Sequence, residues 1–177
     1  MRVITGKARG VRLKTLEGLD VRPTTEKVKE AIFSAIQFEL EGRRFLDLFA
    51  GSGQMGIEAL SRGAAFCVFV DKNRSAIQTV QDNLRKTGLT EQAAVRNQTA
   101  ESFLASNTEP FDLAFLDPPY HNGAAVAMLP LLEGQIRPGG AVICETAQEE
   151  EMPEAVGSLQ KYREYHYSKI IVTIYRK

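Results

Sequence analysis

The residues with the clearest chemical potential are Asp117, Pro118, Pro119 and Tyr120, which directly follow the apolar run Phe111–Leu116. Such a run is typical of a buried strand in a parallel sheet, and two prolines cannot continue its hydrogen-bond ladder. We therefore expect a stiff turn at the carboxyl edge of a sheet, where open α/β folds bind ligands. A carboxylate, rigid carbonyls and a ring suit a planar base with an exocyclic amine, because the ring stacks while the acceptors take the amine hydrogens. The alternative is an ordinary strand-ending turn.

A second site is indicated by the hexapeptide Gly51-Ser52-Gly53-Gln54-Met55-Gly56, which follows one strand-like run and opens a helical one. It fits the G-x-G-x-x-G pattern of adenosine-binding loops, whose glycines let the backbone approach a ligand at a helix N-terminus. Asp71 ends the next strand-like run, where a carboxylate can accept from both hydroxyls of a ribose. NAD, FAD and S-adenosylmethionine all contain adenosine, so the loop alone does not choose among them.

Asp47, inside the strand-like run before the glycine loop, separates these cofactors. A dinucleotide-binding fold usually has an apolar residue there, because a carboxylate would repel the pyrophosphate. S-adenosylmethionine instead carries an amino group and a sulfonium, both cationic, which prefer nearby negative charge. The sequence therefore favours S-adenosylmethionine. The structural alternative is that Asp47 is a buried acid bonded to backbone amides.

Composition indicates an ordinary globular protein of 177 residues, 44% hydrophobic and 25% charged. We expect one domain, residues 1–177, with a basic N-terminal hairpin over 1–20 and a Rossmann-like core over 21–177. Both cysteines lie in apolar runs and predict free thiols, and no Cys/His spacing indicates a metal site. No apolar run resembles a signal peptide or a membrane span, so we expect a cytoplasmic protein. We also expect a monomer that needs no metal ion.

The formal net charge is zero, but the charges are unevenly distributed. The first fourteen residues carry five bases and no acid: Arg2, Lys7, Arg9, Arg12 and Lys14. This asymmetry indicates a surface that faces nucleic acid, with a solvated edge as the alternative. An acidic group between Glu145 and Glu154 is interpreted as solvated surface.

Strand-like and helical patterns alternate along most of the chain, which predicts a parallel sheet with helices on both faces. The first helix is expected to begin at Thr24 or Thr25 and to continue to Leu40, and another to begin at Asn73. Arg137–Gly140 is expected to be a turn before a strand over Ala141–Cys144. The tail predicts an antiparallel hairpin joined near Ser168. We expect seven strands and a small N-terminal β-hairpin.

Two sets of residues together resemble class I S-adenosylmethionine-dependent methyltransferases that act on exocyclic amines: the stretch Asp47–Gly53 with Asp71, and Asp117–Tyr120. More narrowly, Arg22-Pro23-Thr24-Thr25, the stretch Gly56–Gly63 and the short chain resemble the RsmD family. That family methylates N2 of a guanine in bacterial small-subunit (16S) ribosomal RNA. The resemblance covers nearly the whole chain, and it implies that the partner is ribosomal RNA, within an assembling small subunit.

The resemblance also implies roles for individual residues. Cofactor binding is assigned to nine of them: Asp47, Phe49, Gly51, Ser52, Gly53, Asp71, Lys72, Thr99 and Ala100. Within this set, Asp47 and the loop Gly51–Gly53 are assigned to the methionine part, Asp71 to the ribose and the position of Thr99 to the adenine amine. Thr99 stands where the family tends to have Asp or Asn. The target amine and its base are assigned to Asp117, Pro118, Pro119 and Tyr120. Substrate contacts are assigned to Arg9, Arg12, Arg22, Thr24 and Thr25.

Three alternatives remain open at this point. An NAD-dependent oxidoreductase would explain the glycine loop and Asp71, but it would not explain Asp47 or the Asp-Pro-Pro-Tyr turn. A non-catalytic RNA-binding assembly module would explain the basic N-terminus. A methyltransferase acting on adenine N6 in DNA or RNA would use the same turn, although DNA enzymes normally need an added target-recognition region.

Overall fold

A single eight-stranded sheet organises the computed structural model, which describes residues 1–16, 25–119 and 123–177. The strands lie in the order β3-β2-β1-β4-β5-β8-β7-β6. The first five are parallel to one another: β1 Arg44–Leu48, β2 Phe66–Asp71, β3 Ala93–Asn97, β4 Phe111–Leu116 and β5 Ile136–Ala147. The last three add antiparallel pairs: β6 Ala155–Val156, β7 Leu159–Tyr167 and β8 Ile170–Arg176.

Within the described residues, five α-helices cover both faces of this sheet, as the alternation of patterns predicts. Their bounds are α1 Glu26–Ala35, α2 Gln54–Ser61, α3 Arg74–Thr87, α4 Ala100–Ser106 and α5 Ala124–Glu133. Apolar side chains of α1, α2 and α3 form one core with one face of the sheet. Side chains of α4 and α5 form a second core with the other face. All six residues of β4 are buried, as expected for a central strand covered on both sides.

Capping residues fix several helix ends where the sequence predicts them. The Thr25 hydroxyl accepts a hydrogen bond from the Val28 amide at 3.3 Å and so caps α1. The Asn73 side chain caps α3 by accepting from the Ser75 amide at 2.9 Å. Gly88 ends α3 with a φ of 71°, a left-handed conformation that costs glycine little. Ser168, at a φ of 52°, makes the expected turn between β7 and β8.

Four expectations about elements are corrected by the structure. The sheet has eight strands rather than seven, because Ala155–Val156 pairs with the start of β7. The first helix ends at Ala35 and continues as a 3₁₀ turn over Gln37–Glu39, not as α-helix to Leu40. Helix α4 was not predicted. Arg137–Gly140 is not a separate turn but part of β5, where the register with β4 shifts between Phe111 and Leu113.

The first sixteen residues fold back on themselves as predicted, but they form a single bridge between Arg2 and Arg12 rather than a regular hairpin. Antiparallel bonds such as Val3 N–H to Val11 O at 3.0 Å hold the two arms together. Other backbone groups of the segment bond to helices instead of to each other. Three of its side chains are buried in the core beside α1, α2 and α3: Val3, Ala8 and Leu13.

Candidate active site

The site lies where the strand order reverses, between β1 and β4. Leu48 pairs with Leu116, so the residues after these strands, Phe49 and Asp117, emerge side by side. Open α/β sheets bind ligands at such a switch point, because the connections leave in opposite directions and open a crevice. The glycine loop and the Asp-Pro-Pro turn, far apart in sequence, therefore meet at one edge.

The loop from Phe49 to Gly53 winds through three left-handed positions: Phe49 at φ 66°, Gly51 at 55° and Gly53 at 77°. Such a conformation is easy for glycine but costs a residue with a Cβ roughly 1–2 kcal/mol. Phe49 keeps it because Ala50 N–H bonds to Val70 O at 2.9 Å and Gly53 N–H bonds back to Ala50 O at 2.7 Å. The loop is thus held in one conformation that leads into the N-terminus of α2.

The glycines of the hexapeptide have different functions in the structure. A Cβ on Gly51 would approach only Leu16 Cδ1, at 4.0 Å, so this position is open for a ligand. A Cβ on Gly56 would lie 2.3 Å from the ring of Phe69 and 2.6 Å from Cys67 Sγ. Gly56 therefore permits close packing of α2 on β2, and of these two glycines only Gly51 has open space beside it.

Asp47 is 2% exposed, and its Oδ2 accepts a hydrogen bond from the Gly56 amide at 2.8 Å. Burial raises the pKa of Asp47 to about 7, the Gly56 amide opposes this shift, and nearby Asp71 adds to it. Asp47 is thus a buried acid bonded to a backbone amide, which is the alternative that the sequence left open. This bond is compatible with the attraction of a cationic ligand, since a carboxylate offers about four lone-pair sites.

Asp71 supports the loop from the other side. Its Oδ2 accepts from Gly51 N–H at 2.9 Å and its Oδ1 from Asn73 N–H at 2.8 Å. The carboxylate is half-buried and has capacity for further donors such as ribose hydroxyls. Asn97, which the sequence did not single out, ties the strand ends together, since its Nδ2 donates to the carbonyls of Asp71 and Lys72 at 3.0 Å each.

Asp117 is half-buried, Pro118 is buried and Pro119 is exposed at the mouth of the crevice. Leu116 pairs with Cys144 in the register of β4 and β5, so Glu145 is the neighbour of Asp117. Burial is the main cause that raises the pKa of Asp117 well above its ordinary range, and the charges of Glu145 and Asp47 add to it. The fourth residue of the motif, Tyr120, lies outside the described residues.

Glu145 also lies at this edge, which corrects the interpretation of its acidic run as solvated surface. Its side chain is 1% exposed, and the residue lies inside β5. One feature of the sequence could have indicated its burial, because Glu145 directly follows the apolar run Ala141–Cys144. The strand continues beyond this run to Ala147. Four neighbouring strands thus each contribute a carboxylate to this edge: Asp71, Asp47, Asp117 and Glu145.

The residues expected near an adenine lie on the β2 and β3 side of the loop. Thr99 is exposed and caps α4 by accepting from Ser102 N–H at 3.2 Å, while Ala100 is buried. Lys72 is exposed.

Of the residues expected to contact a substrate, Arg9 and Arg12 are exposed, and Thr25 is exposed and caps α1. Arg22 and Thr24 lie outside the described residues.

A dinucleotide would bring a pyrophosphate to this edge of carboxylates, whereas S-adenosylmethionine brings cations. The set of carboxylates therefore fits S-adenosylmethionine, and it argues against the NAD alternative.

Among the residues that the structure describes, no group of acids, histidines and cysteines is arranged to hold a metal ion. In the same part of the chain, no helix has the length and apolar character needed to cross a membrane.

The fold and the site define a class I S-adenosylmethionine-dependent methyltransferase, and comparisons with known proteins give its family. Residues 1–176 match the family described as Conserved hypothetical protein 95. The chain belongs to this family, which is the RsmD family of methyltransferases. The family resemblance, the fold class and the cofactor expected from the sequence are thereby confirmed.

Individual relatives span the whole chain. YlbH of Bacillus subtilis, provisionally named an rRNA methyltransferase, is 45% identical and covers 100% of this chain and 99% of its own. Ribosomal RNA small subunit methyltransferase D of Escherichia coli is 32% identical, over 100% of this chain and 90% of its own. Among solved structures, the E. coli protein yhhF superposes with a TM-score of 0.90 at 32% identity, over 100% of this chain and 97% of that one.

Proposed function

We propose that this protein transfers a methyl group from S-adenosylmethionine to the exocyclic N2 amine of a guanine in small-subunit ribosomal RNA. The proposal is supported by the relatives named for small-subunit RNA methylation and by the turn that follows β4. We further propose that it acts in the cytoplasm as a monomer, that no metal ion takes part, and that the substrate is an assembling ribosomal subunit.

One observation carries the proposal: the Asp-Pro-Pro turn lies next to the glycine loop at the switch point of the sheet. An exocyclic amine held at Asp117 is therefore close to the carboxylate edge that suits a cationic cofactor. Bound S-adenosylmethionine supplies an electrophilic methyl group on its sulfonium. The residues of this chain must make the amine nucleophilic and accept the proton that it loses.

The N2 lone pair of guanine is delocalised into the ring, which makes the amine a poor nucleophile. The Asp117 carboxylate and the Pro118 carbonyl can each accept one amine hydrogen, which draws the nitrogen towards tetrahedral geometry and frees its lone pair. The same acceptors stabilise the positive charge that develops on nitrogen. The raised pKa of Asp117 makes it a better acceptor for the proton that the product amine must lose. Tyr120 is proposed to stack on the base.

The basic N-terminal segment is proposed to bind RNA phosphates. Arg9 and Arg12 are exposed, and neither forms an ion pair with the residues that the structure describes. Two other bases of the segment are partly neutralised, because Arg2 pairs with Glu26 and Lys14 pairs with Asp82. Lys7 is exposed as well and has no ion pair with the described residues, so Arg9, Arg12 and Lys7 are the cations best placed to attract phosphate groups. Arg22, Thr24 and Thr25 are proposed to contact the target region.

The proposal is tested by comparing modified nucleosides in 16S ribosomal RNA from cells with and without the gene. Loss of one N2-methylguanosine, restored by the parent gene but not by a gene carrying Asp117→Ala, is the expected result. Purified protein with labelled cofactor then identifies the substrate, naked RNA or small subunits from the deletion strain. Loss of an N6-methyladenine would establish the adenine alternative instead, and an unchanged nucleoside profile would overturn methylation of this RNA.

A further inference from the structure

The N-terminal segment, residues 1–16, is bonded to the helices that flank the cofactor loop. The Glu58 carboxylate on α2 accepts from the amides of Ile4 and Thr5 at 2.8 and 3.0 Å. Ser61, one turn further along α2, accepts from the Ala8 amide at 3.0 Å and donates to Thr5 O at 2.6 Å. These bonds secure the first half of the segment to the helix that begins at the loop.

The second half of the segment is secured by Asn83 of α3, whose side chain is completely buried. Asn83 Oδ1 accepts from the Lys14 amide at 2.8 Å, and Asn83 Nδ2 donates to Lys14 O at 3.1 Å. The same Nδ2 also donates to Ser52 O, within the glycine loop, at 2.9 Å. One primary amide thus bridges the basic segment and the cofactor loop.

We propose that Asn83 is a positioning residue that sets the conformation of the cofactor loop and couples it to the N-terminal segment. The coupling to substrate rests on the proposed function, because it requires that the segment bind RNA. RNA that holds the segment in its anchored arrangement also favours the Lys14–Asn83–Ser52 bridge, and hence a loop ready for the cofactor. By linkage, the cofactor then tightens RNA binding by the same factor.

Asn83 bonds directly to backbone groups of Lys14 and Ser52, so a shift of one peptide unit acts on the other through a single side chain. The carbonyl of Ser52 belongs to the peptide unit whose N–H, that of Gly53, donates to Ala50 O at 2.7 Å. The bond within the loop and the bond from Asn83 therefore fix the orientation of this peptide unit together. An Ala side chain at position 83 would remove the donor to Ser52 O and both bonds to Lys14. A purely structural asparagine, by contrast, would contribute to folding without affecting how one ligand influences the other.

The test measures cofactor affinity by calorimetry with and without 16S ribosomal RNA, for the parent protein and for variants. In the parent, RNA should tighten cofactor binding several-fold, within the range of roughly 5- to 150-fold typical of coupled sites. In Asn83→Ala the coupling factor should fall to about 1, and cofactor affinity without RNA should weaken about tenfold, the loss expected for one hydrogen bond. Amide hydrogen exchange at Gly51–Gly53 should speed up.

A matched pair at Lys14 tests the bridge without altering α3. Lys14→Pro removes the amide that donates to Asn83, whereas Lys14→Met removes the same charge but keeps the amide. Without cofactor, both variants should weaken RNA binding equally, and only Lys14→Pro should reduce the coupling factor. Asp82→Asn removes the surface ion pair to Lys14 and should leave the coupling intact.

The outcomes separate the two levels of the proposal. If the parent protein binds neither 16S ribosomal RNA nor small subunits from the deletion strain, the proposed function fails, whatever the variants do. If RNA and cofactor are coupled in the parent and equally coupled in Asn83→Ala and Lys14→Pro, the positioning role of Asn83 is overturned and the proposed function stands. If Asn83→Ala does not fold, the Lys14 pair decides between these results by itself.

Discussion

Asp47 combines a functional position with an unfavourable electrostatic environment. Its carboxyl is buried among other acids, and burial raises its pKa from 3.8 to about 7. The folded protein therefore binds a proton between about pH 4 and pH 7 that the unfolded chain has already released. In that window the contribution of Asp47 to the free energy of unfolding falls as the pH rises, and above pH 7 it stays constant. Carboxyls with strongly shifted pKa values concentrate at functional sites, so this shift supports the proposed role of Asp47 in cofactor binding.

Asp47→Asn should remove this pH dependence while keeping an acceptor for the Gly56 amide. Relative to the parent, the variant should gain stability progressively from pH 4 to pH 7, by up to about 4 kcal/mol at roughly 1.4 kcal/mol per pKa unit. The measurement is chemical denaturation of both proteins in steps of pH. S-adenosylmethionine should bind the variant more weakly at pH 8. Parallel stability curves would show that Asp47 has an ordinary pKa.

Asp117→Ala should reduce methyl transfer by about 10²- to 10³-fold while cofactor affinity stays nearly unchanged, because its carboxylate acts on the developing charge. Burial and the neighbouring acids raise the pKa of Asp117, which means that the folded protein disfavours its ionised form, so removing the carboxyl should not lower the melting temperature. Single-turnover rates and melting curves on the same preparations provide the measurement. If the turn only ends a strand, activity and stability should fall together.

At the scale of elements, the sequence predicted what depends on local pattern and missed what depends on neighbours. β4 has the predicted bounds, Phe111–Leu116, because a central strand is apolar throughout. Helix α4 has seven residues, too few for a helical period to emerge. The sequence predicts that β5 ends at Cys144, because the acids that follow are typical of solvated surface. In the structure Glu145 pairs with Val172 of β8 and is buried.

The candidate site shows the same division. The sequence predicts Asp47, Asp71 and Asp117 as site residues because each interrupts, ends or directly follows an apolar strand, a feature visible in the chain itself. The contribution of Glu145 depends on its position beside Asp117, which only the strand register reveals. The bridge through Asn83 joins three separate segments, so no local pattern could indicate it.

The junction of α2 and β2 gives a prediction at this scale. Gly56→Ala would place a Cβ 2.3 Å from the buried ring of Phe69, so the helix or the ring must move. We expect a loss of about 1–3 kcal/mol from overpacking, with weaker cofactor binding because the Gly56 amide also bonds to Asp47. Thermal denaturation and calorimetry measure these two effects.

Gly134→Ala provides the matched control for Gly56→Ala. Gly134, at the end of α5, has a φ of −68° and no atom within 4 Å of its would-be Cβ. The substitution should leave stability unchanged or raise it by a few tenths of a kcal/mol, since Ala restricts the unfolded chain. Equal effects of the two substitutions would contradict the packing role of Gly56.

At the scale of the whole molecule, the basic N-terminal segment belongs to the packed core. Val3 and Leu13 are buried, and Glu58 holds the segment's amides while it pairs at 3.5 Å with Lys29, whose side chain is also fully buried. Burial lowers the pKa of Lys29, and the charge of Glu58 opposes that shift. Deleting the segment would remove apolar surface and leave Glu58 without two of its donors. Charge substitutions therefore test RNA binding better than truncation does.

Arg9→Gln combined with Arg12→Gln should weaken binding to 16S ribosomal RNA and lower its salt dependence. Each lost phosphate contact should reduce the slope of log K against log salt by roughly 0.7–0.9, so the pair should reduce it by about 1.5. Cofactor affinity without RNA should not change, because both side chains are exposed and the Asn83 bridge stays intact. Lys169→Gln combined with Arg163→Gln, on the β7–β8 hairpin, removes the same charge elsewhere and should leave the slope unaltered. If both pairs reduce the slope equally, RNA is attracted by the overall charge of the protein and not by its N-terminal segment.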